Sequence, residues 1–211
     1  MNLLQTTIIK LLIKLQEMTM DGLNILSVKF NSGVHPKHEL MRYYDFFIEN
    51  IKSGSNVLDI GCGYGYVAHK VAQKAALITG IDFDKRTLSQ ARRNYTDSNL
   101  KFLSGDATTY KFTEKYDYVI LSNVLEHIEY RIKFLKRVKT LAPTLLIRVP
   151  MFNRDWLPAY KKDLGMFAYC DSTHFTEYTE ESFREEMNKA GLKVKYLSVQ
   201  YGEIWSIIVR K

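Results

Sequence analysis

The sequence predicts an α/β fold built on a mostly parallel sheet, and three observations support this. Short apolar runs alternate with helix-like segments, a pattern typical of strands joined by helices. The first long apolar run ends in a glycine-rich turn, residues 61–65, that precedes a helix-like segment. The chain closes with two apolar runs on either side of residues 201–203, which predict an antiparallel hairpin.

Composition limits the class of protein. At 211 residues the chain is long enough for one α/β domain with a modest extension. The formal net charge of +7 favours anionic partners, although most basic residues of any chain lie on its solvated surface. The two cysteines, Cys62 and Cys170, are far apart, which argues against a disulfide scaffold or a cysteine zinc site. We therefore expect a reducing, cytoplasmic location.

The first 34 residues predict a separate N-terminal element, followed by the main domain at residues 35–211. Residues 21–34 carry glycine and polar breakers and predict an irregular connection. The apolar run before them is interrupted by Lys10 and Lys14, so it is too short and too charged to cross a membrane, and it lacks the form of a signal peptide. At helical spacing, one face is apolar: Leu4, Ile8, Leu11, Leu12, Leu15 and Met18. We expect this amphipathic helix to pack on the domain or on a partner subunit in a homodimer, with a membrane surface as the alternative.

Further along the chain, Pro36 begins a helix predicted to reach about Ile51. The predicted strands are 57–60, 77–82, 100–103, 116–121, 145–149, 194–199 and 204–209. The predicted helices are 66–75, 85–95, 131–140 and one that Thr179 caps and Gly191 ends. Residues 150–178 show no periodic element and are rich in aromatic residues, which predicts either a substrate lid or a buried aromatic cluster.

The glycine turn has the properties of a nucleotide-type cofactor site. Glycines at every second position let the backbone approach a ligand closely, and the following helix directs unpaired N–H groups into the turn. A dinucleotide fingerprint needs a glycine at the sixth position, where Tyr66 stands, so the fit to NAD or FAD is imperfect. The alternative is a turn that binds nothing.

Asp59 and the glycines form the pattern D-x-G-x-G-x-G, which resembles the first motif of the class I S-adenosylmethionine (SAM) dependent methyltransferases. That family has a doubly wound, Rossmann-like sheet of seven strands that ends in an antiparallel hairpin. The resemblance covers roughly residues 36–211. It implies that Asp59 positions the methionine part of SAM and that Gly61, Gly63 and Gly65 let the cofactor lie against the backbone.

Two more carboxylates follow strands where the family has its ribose and adenine contacts. Asp82 lies 21 residues after Gly61, and we expect it to accept both ribose hydroxyl protons, with Phe83 against the adenine. The resemblance assigns Asp106 to the adenine amino group with the Ala107 backbone beside it; an ordinary loop carboxylate is the alternative. Asn123, after the fourth strand, is expected to face the transferred methyl group.

Glu126, His127 and His174 are predicted to form the polar site for the methyl acceptor. A neutral imidazole there could take a proton near neutral pH. The three residues also resemble part of the metal site of small-RNA 3′-terminal 2′-O-methyltransferases, which uses Glu-x-x-Glu-His and a later His. Asn123 replaces the first Glu, and a hard cation binds less well without that carboxylate. We therefore predict a site without metal, with His174 or His127 as general base, and a structural role for both histidines as an alternative.

These observations predict a SAM-dependent methyltransferase that acts on an oxygen or nitrogen of a small-molecule acceptor, which the basic charge would allow to be anionic. A metal-assisted RNA 2′-O-methyltransferase is the first alternative, although the chain has no recognisable added RNA-binding domain. The second alternative is a SAM-binding module without catalysis.

Overall fold

The computed structural model describes residues 2–31 and 35–211. The chain divides into two compact units. One holds the chain up to Tyr43 together with Trp156–Ala168, and the other holds Tyr44–Asp155 and Tyr169–Lys211. The division predicted at residue 34 stays a prediction, and residues 32–34 of the predicted connection lie outside the described part.

The second unit contains a seven-stranded sheet in the order β3-β2-β1-β4-β5-β7-β6. Its strands are β1 (Asn56–Ile60), β2 (Leu77–Asp82), β3 (Leu100–Ser104), β4 (Tyr118–Ser122), β5 (Thr144–Pro150), β6 (Leu192–Gln200) and β7 (Glu203–Arg210). The first five are mutually parallel, whereas β7 is antiparallel to both β5 and β6. The predicted doubly wound sheet with a C-terminal hairpin is confirmed.

The central strands are apolar because both faces of the sheet are covered. In β1, Leu58 and Ile60 pack into one core and Val57 into the other, since successive side chains point to opposite faces. β1 pairs with β2 on one side and with β4 on the other. The chain order therefore reverses at β1, and the carboxyl ends of β1 and β4 border the crevice where open α/β sheets bind ligands.

Eight helices occur in the described part of the chain. They are α1 (Leu3–Phe30), α2 (Lys37–Met41), α3 (Tyr44–Asn50), α4 (Tyr66–Ala72), α5 (Lys85–Asn94), α6 (Arg131–Val138), α7 (Leu157–Asp163) and α8 (Glu180–Lys189). The predicted cap of α8 is confirmed: the Thr179 side chain accepts a hydrogen bond from the Ser182 backbone N–H. Gly191 follows α8 with φ +71°, a conformation that ends helices.

The prediction of an irregular segment from residue 21 was wrong. α1 continues through Gly22 to Phe30, because a single interior glycine costs only about 1 kcal/mol and apolar helix formers follow it. The face expected to pack on the domain or on a partner subunit is exposed in the single chain, where Leu11, Leu15 and Met18 are 61%, 57% and 70% exposed, and its packing stays a prediction. Ile13, on the opposite side, is the buried residue of this helix.

Two other predicted segments differ from the structure. The helix expected to run from Pro36 to Ile51 is interrupted between α2 and α3 at Arg42, whose φ of +44° lies outside the helical region. The segment expected to lack periodic structure contains α7, with Pro158 in its first turn. Its aromatic side chains do not form one buried cluster, since Trp156 is 71% and Phe175 54% exposed. The lid stays a prediction.

Candidate functional site

The glycine turn joins β1 to α4 at the crevice. Gly61, Gly63 and Gly65 all have positive φ, which favours glycine. A Cβ at Gly61 would lie 2.7 Å from a methyl group of Val124, so the loop after β4 packs against this turn. A Cβ at Gly63 would meet no atom of residues 2–31 or 35–211 within 4 Å, so these residues leave open space beside the backbone there.

Asp59 is a buried carboxylate at the base of the turn. It is 2% exposed, and its Oδ2 has no hydrogen-bond partner among the described residues. Burial, and then the nearby charge of Asp82, raise the pKa of Asp59 to about 8. An unpaired buried carboxylate is costly, so this group is suited to a ligand that brings a hydrogen-bond donor or a positive charge.

Asp82 ends β2 and braces the same turn. Its Oδ2 accepts the Gly63 backbone N–H at 2.9 Å, and its Oδ1 accepts the Asp84 N–H at 2.9 Å. A carboxylate has about four acceptor positions, so each oxygen can accept another hydrogen bond from a diol. Phe83, next along the chain, is 78% exposed and leaves an aromatic face available for stacking.

Asp106 follows β3 in an exposed loop. Its Oδ1 accepts hydrogen bonds from the Thr108 N–H at 2.8 Å and the Thr108 hydroxyl at 2.7 Å. These bonds fix the carboxylate locally, and Ala107 packs partly buried against the core. Both residues lie at the carboxyl edge of the sheet, where they were expected, and their adenine contact stays a prediction.

Asn123, after β4, belongs to a buried polar group that the sequence did not reveal. Its backbone has φ +54°, and its Oδ1 accepts a hydrogen bond from Arg148 Nε at 2.9 Å. Arg148 also lies 3.6 Å from a Glu203 carboxylate oxygen and against the Trp205 ring. The Asn123 side chain is thus held by β5 and β7, and its expected place beside the methyl group stays a prediction.

Glu126 lies in a short 3-10 turn, Leu125–His127, just past β4. It is completely buried, and neither carboxylate oxygen has a hydrogen-bond partner in the part of the chain that is described. Burial raises the pKa of Glu126 to about 7, and the nearby His174 and Arg148 oppose this effect. This side chain is therefore poised between its neutral and charged forms near neutral pH.

His127 and His174 meet edge to face with ring centroids 4.6 Å apart. The Thr173 hydroxyl donates to Asp171 at 2.7 Å, so it accepts the Nδ1 proton of His127 at 2.8 Å. His174 Nδ1 lies 3.0 Å from Glu177, an ionised acceptor, and therefore also carries the proton. In its neutral form, each ring therefore keeps a lone pair on Nε2 that can accept a proton.

Glu177 organises the loop that carries His174. Its carboxylate accepts hydrogen bonds from Arg154 and from the Cys170 N–H in addition to His174. These bonds outweigh burial and lower the pKa of Glu177 to about 2. The Phe175 N–H also donates to the Glu126 carbonyl at 2.8 Å, which ties this loop to the turn after β4.

The structure thus brings together the three residues predicted for the acceptor side. Glu126, His127 and His174 each place one ligand-type atom within 4.8 Å of the others. The sequence did not identify their supports, which include Arg148, Arg154, Asp171, Thr173 and Glu177. Only Arg148 carried a signal, as a charged residue within an apolar strand.

The geometry fits SAM. The buried Asp59 carboxyl, with no partner for Oδ2 among the described residues, suits the positively charged amino-acid part of SAM, whose charge would favour the ionised form of Asp59. The space at Gly63 admits a ligand against the backbone, and Asp82 retains acceptor capacity for a ribose diol. A seven-stranded sheet with this order and this turn defines a class I SAM-dependent methyltransferase fold.

The comparison with protein families agrees. A family described as a methyltransferase domain matches residues 33–197. The chain therefore belongs to the class I SAM-dependent methyltransferase family, and SAM is its cofactor.

Curated relatives and solved structures extend this result. The chain is 32% identical over 93 residues to a ubiquinone biosynthesis O-methyltransferase of Stutzerimonas stutzeri, covering 42% of this chain and 40% of the relative. It is 32% identical over 150 residues to an (S)-coclaurine N-methyltransferase of Thalictrum flavum, covering 62% and 42%. The magnesium protoporphyrin IX methyltransferase of Synechocystis, solved with S-adenosylhomocysteine, shares the fold, with a TM-score of 0.63, 22% identity and coverage of 81% and 82%. The chain spans half or less of the length of the curated relatives it matches.

Proposed function

We propose that this chain transfers a methyl group from SAM to an oxygen or nitrogen of a small-molecule acceptor. The observation that carries the proposal is the contact between His127, just past β4, and His174, in the loop before α8, both held through Nδ1 and next to a segment that packs on Gly61. When bound, SAM supplies an already activated methyl group on a sulfonium. The protein then has to align the acceptor and remove its proton.

On the cofactor side, the residues bind rather than react. Asp59 faces the amino-acid portion and Asp82 accepts the ribose hydroxyl protons, while Phe83, Asp106 and Ala107 surround the adenine. This assignment rests on the family motif and on the acceptor capacity that these carboxylates retain.

On the acceptor side, His127 or His174 takes the proton. Partial burial, and then the neighbouring His174, lower the pKa of His127, so its imidazole is neutral at neutral pH. Asp171 and Glu177 act through the histidines as positioning groups, because they hold the Nδ1 protons either directly or through Thr173. Glu126 borders the same space and can accept a hydrogen bond from the acceptor.

The proposal is tested in two stages. Calorimetry should show binding of SAM and S-adenosylhomocysteine, and binding of NAD in their place would refute it. Incubation with labelled SAM and a metabolite extract should then give a labelled small molecule. SAM binding without any labelled product, in metabolites or RNA, would favour the non-catalytic module.

A metal-assisted RNA 2′-O-methyltransferase is the second candidate, and the Glu126, His127 and His174 cluster favours it. One carboxylate and two imidazoles are ligands that transition-metal ions accept, and Glu126 is buried without a partner among the described residues. Chelator-sensitive methylation of an RNA 3′ end would select this candidate. Chelator-resistant methylation of a small molecule would select the first.

Charge and cysteine content bear on the acceptor and on the location of the protein. The net charge of +7 favours an anionic acceptor, and the two free cysteines suit a cytoplasmic location. Within residues 2–31 and 35–211, no helix combines the length and apolarity needed to cross a bilayer.

A further inference from the structure

The exposed face of α1 has the spacing of a coiled-coil seam. Its apolar positions alternate at intervals of four and three residues: Leu4, Ile8, Leu11, Leu15, Met18, Gly22 and Ile25. This is the heptad a/d pattern, sustained over three heptads. Six of these side chains are large and 49–70% exposed. A continuous seam about 30 Å long is thus open to solvent.

We propose that a second copy of this chain occupies this seam, with its α1 running antiparallel. In this arrangement Leu15 faces Met18 of the second copy, Leu11 faces Gly22, and Ile8 faces Ile25. The large Leu11 then lies opposite the residue without a side chain, and no atom of the described residues lies within 4 Å of a Cβ built at Gly22. The large side chain of Leu11 thus fills the space that Gly22 leaves on the facing helix.

The parallel, in-register alternative matches the same residues poorly. It would place Gly22 against Gly22, leaving a gap, and Lys29 against Lys29 at an inner position. In the antiparallel register, Lys29 instead lies opposite Leu4 near the end of the seam, where its aliphatic stem can cover that side chain while the amine stays in water.

Charges beside the seam also favour the antiparallel pair. Lys14 and Asp21 occupy the same flanking position of successive heptads, and antiparallel helices bring such positions together across the interface. Each Lys14 therefore meets the Asp21 of the second copy, twice by symmetry.

A membrane surface is less suited to this helix than a second copy. Its Lys10, Lys14 and Lys29 are nearly balanced by Glu17 and Asp21, whereas helices that bind anionic lipid carry a predominantly basic polar face. Glu17 and a buried Lys161 also form an ion pair at 2.6 Å, which uses part of the polar face within this unit.

The area is adequate for a dimer. Burying a large aliphatic side chain removes roughly 60–120 Å², so six of them with their neighbours approach the roughly 800 Å² per partner of standard interfaces. A groove of about 520 Å³ beside Lys14, lined also by Leu11 and Phe167, widens the surface that the second copy can cover.

The mass in solution is the first test. Sedimentation equilibrium at micromolar concentration should give twice 24.6 kDa. Leu15→Glu should give the monomer, because it places a charge in the central layer. Leu23→Glu is the matched control: Leu23 is on the same helix and, like Leu15, 57% exposed, but it lies off the seam, so the dimer should persist. A monomeric wild type, or equal behaviour of the two variants, would overturn the proposal.

Cross-linking tests the register. In a Cys170→Ser background, a mixture of Leu11→Cys and Gly22→Cys chains should form a disulfide dimer, whereas each variant alone should not. Cross-linking of each variant with itself would show a parallel pair. Lys14→Glu should weaken the dimer, and adding Asp21→Lys should restore it.

Two controls keep the result interpretable. Circular dichroism and SAM binding should be unchanged in Leu15→Glu, so that loss of the dimer is not loss of the fold, and failure of the proposed methyl transfer would leave this test intact. A wild-type monomer that co-sediments with anionic phosphatidylserine vesicles would replace the second copy with a membrane.

Discussion

The cofactor side and the acceptor side of the site are held together in different ways. On the cofactor side, Asp82 binds the Gly63 backbone, 19 positions away, and the turn itself is built from glycines. On the acceptor side, His127 meets Thr173, 46 positions away, through side chains alone. The first half depends mainly on backbone shape and the second on a network of ionisable groups. Substitutions should therefore separate binding of SAM from turnover.

The largest expected effect is that of His174→Ala on turnover. If His174 takes the proton, kcat should fall by about 10²- to 10⁴-fold while SAM affinity stays unchanged. Steady-state kinetics with the acceptor found by labelling, and calorimetry with SAM, measure the two quantities. His69→Ala removes a histidine that pairs with Asp97 outside the site and should leave both unchanged. A loss of SAM affinity with normal kcat would mean that His174 helps to bind the cofactor and does not take the proton.

Removing the Asp82 carboxylate should lower SAM affinity, the quantity that His174→Ala leaves unchanged. Asp82→Ala loses the carboxylate proposed to bind the ribose, so SAM affinity should fall by roughly 30- to 150-fold, or about 2–3 kcal/mol. Asp84→Ala is the control, because it removes the cap of α5 and should cost about 1 kcal/mol of stability without changing SAM affinity. Equal SAM affinity in the wild type and Asp82→Ala would contradict the ribose assignment.

Asp59 should make the stability of the SAM-free chain depend on pH. Its pKa is about 8 in the folded chain and about 3.9 when unfolded, so folding favours the protonated form. The stability it contributes is complete below pH 4 and is lost as the pH rises through 8. Asp59→Asn stays neutral, so urea unfolding should find it more stable than wild type by about 1–3 kcal/mol at pH 8 and nearly equal at pH 4.

The control for this effect is Asp117→Asn. The exposed Asp117, just before β4, accepts a hydrogen bond from the Asn56 N–H at the start of β1, and its replacement should give no advantage at high pH. A lower stability of Asp59→Asn at pH 8 would mean that the Asp59 carboxylate has a partner in the free chain.

The smallest effect is expected at Thr173. Thr173→Val removes the hydroxyl between Asp171 and His127, so the His127 ring loses one orienting hydrogen bond, worth about 0.5–1.5 kcal/mol. Turnover should fall by up to about tenfold, with a changed pH profile, and Thr173→Ser should restore both. A Val variant with the wild-type pH profile would remove Thr173 from the proton path.

The difference between the two halves also explains how far the sequence could predict the site. The residues proposed for the cofactor lie in or beside β1 and β2, and the resemblance to the family's motif identified Asp59, Gly63 and Asp82 as candidates. Glu126 and His174 were identified as candidates, but the charged groups around them come from β5, β7 and the loop before α8. Such side-chain networks have no periodic signal, because they join segments that are distant in the chain.

The sequence by itself determined the sheet, its closing hairpin and the glycine turn, because strand burial and backbone freedom are properties of neighbouring residues. Tertiary structure decided which side of α1 packs within the chain: Ile13 is buried, whereas Leu15, on the face predicted to meet the domain or a partner subunit, is exposed. It also decided the protonation of the site. The pKa of Glu126 and that of Asp59 are raised by burial, and burial depends on how distant segments pack together.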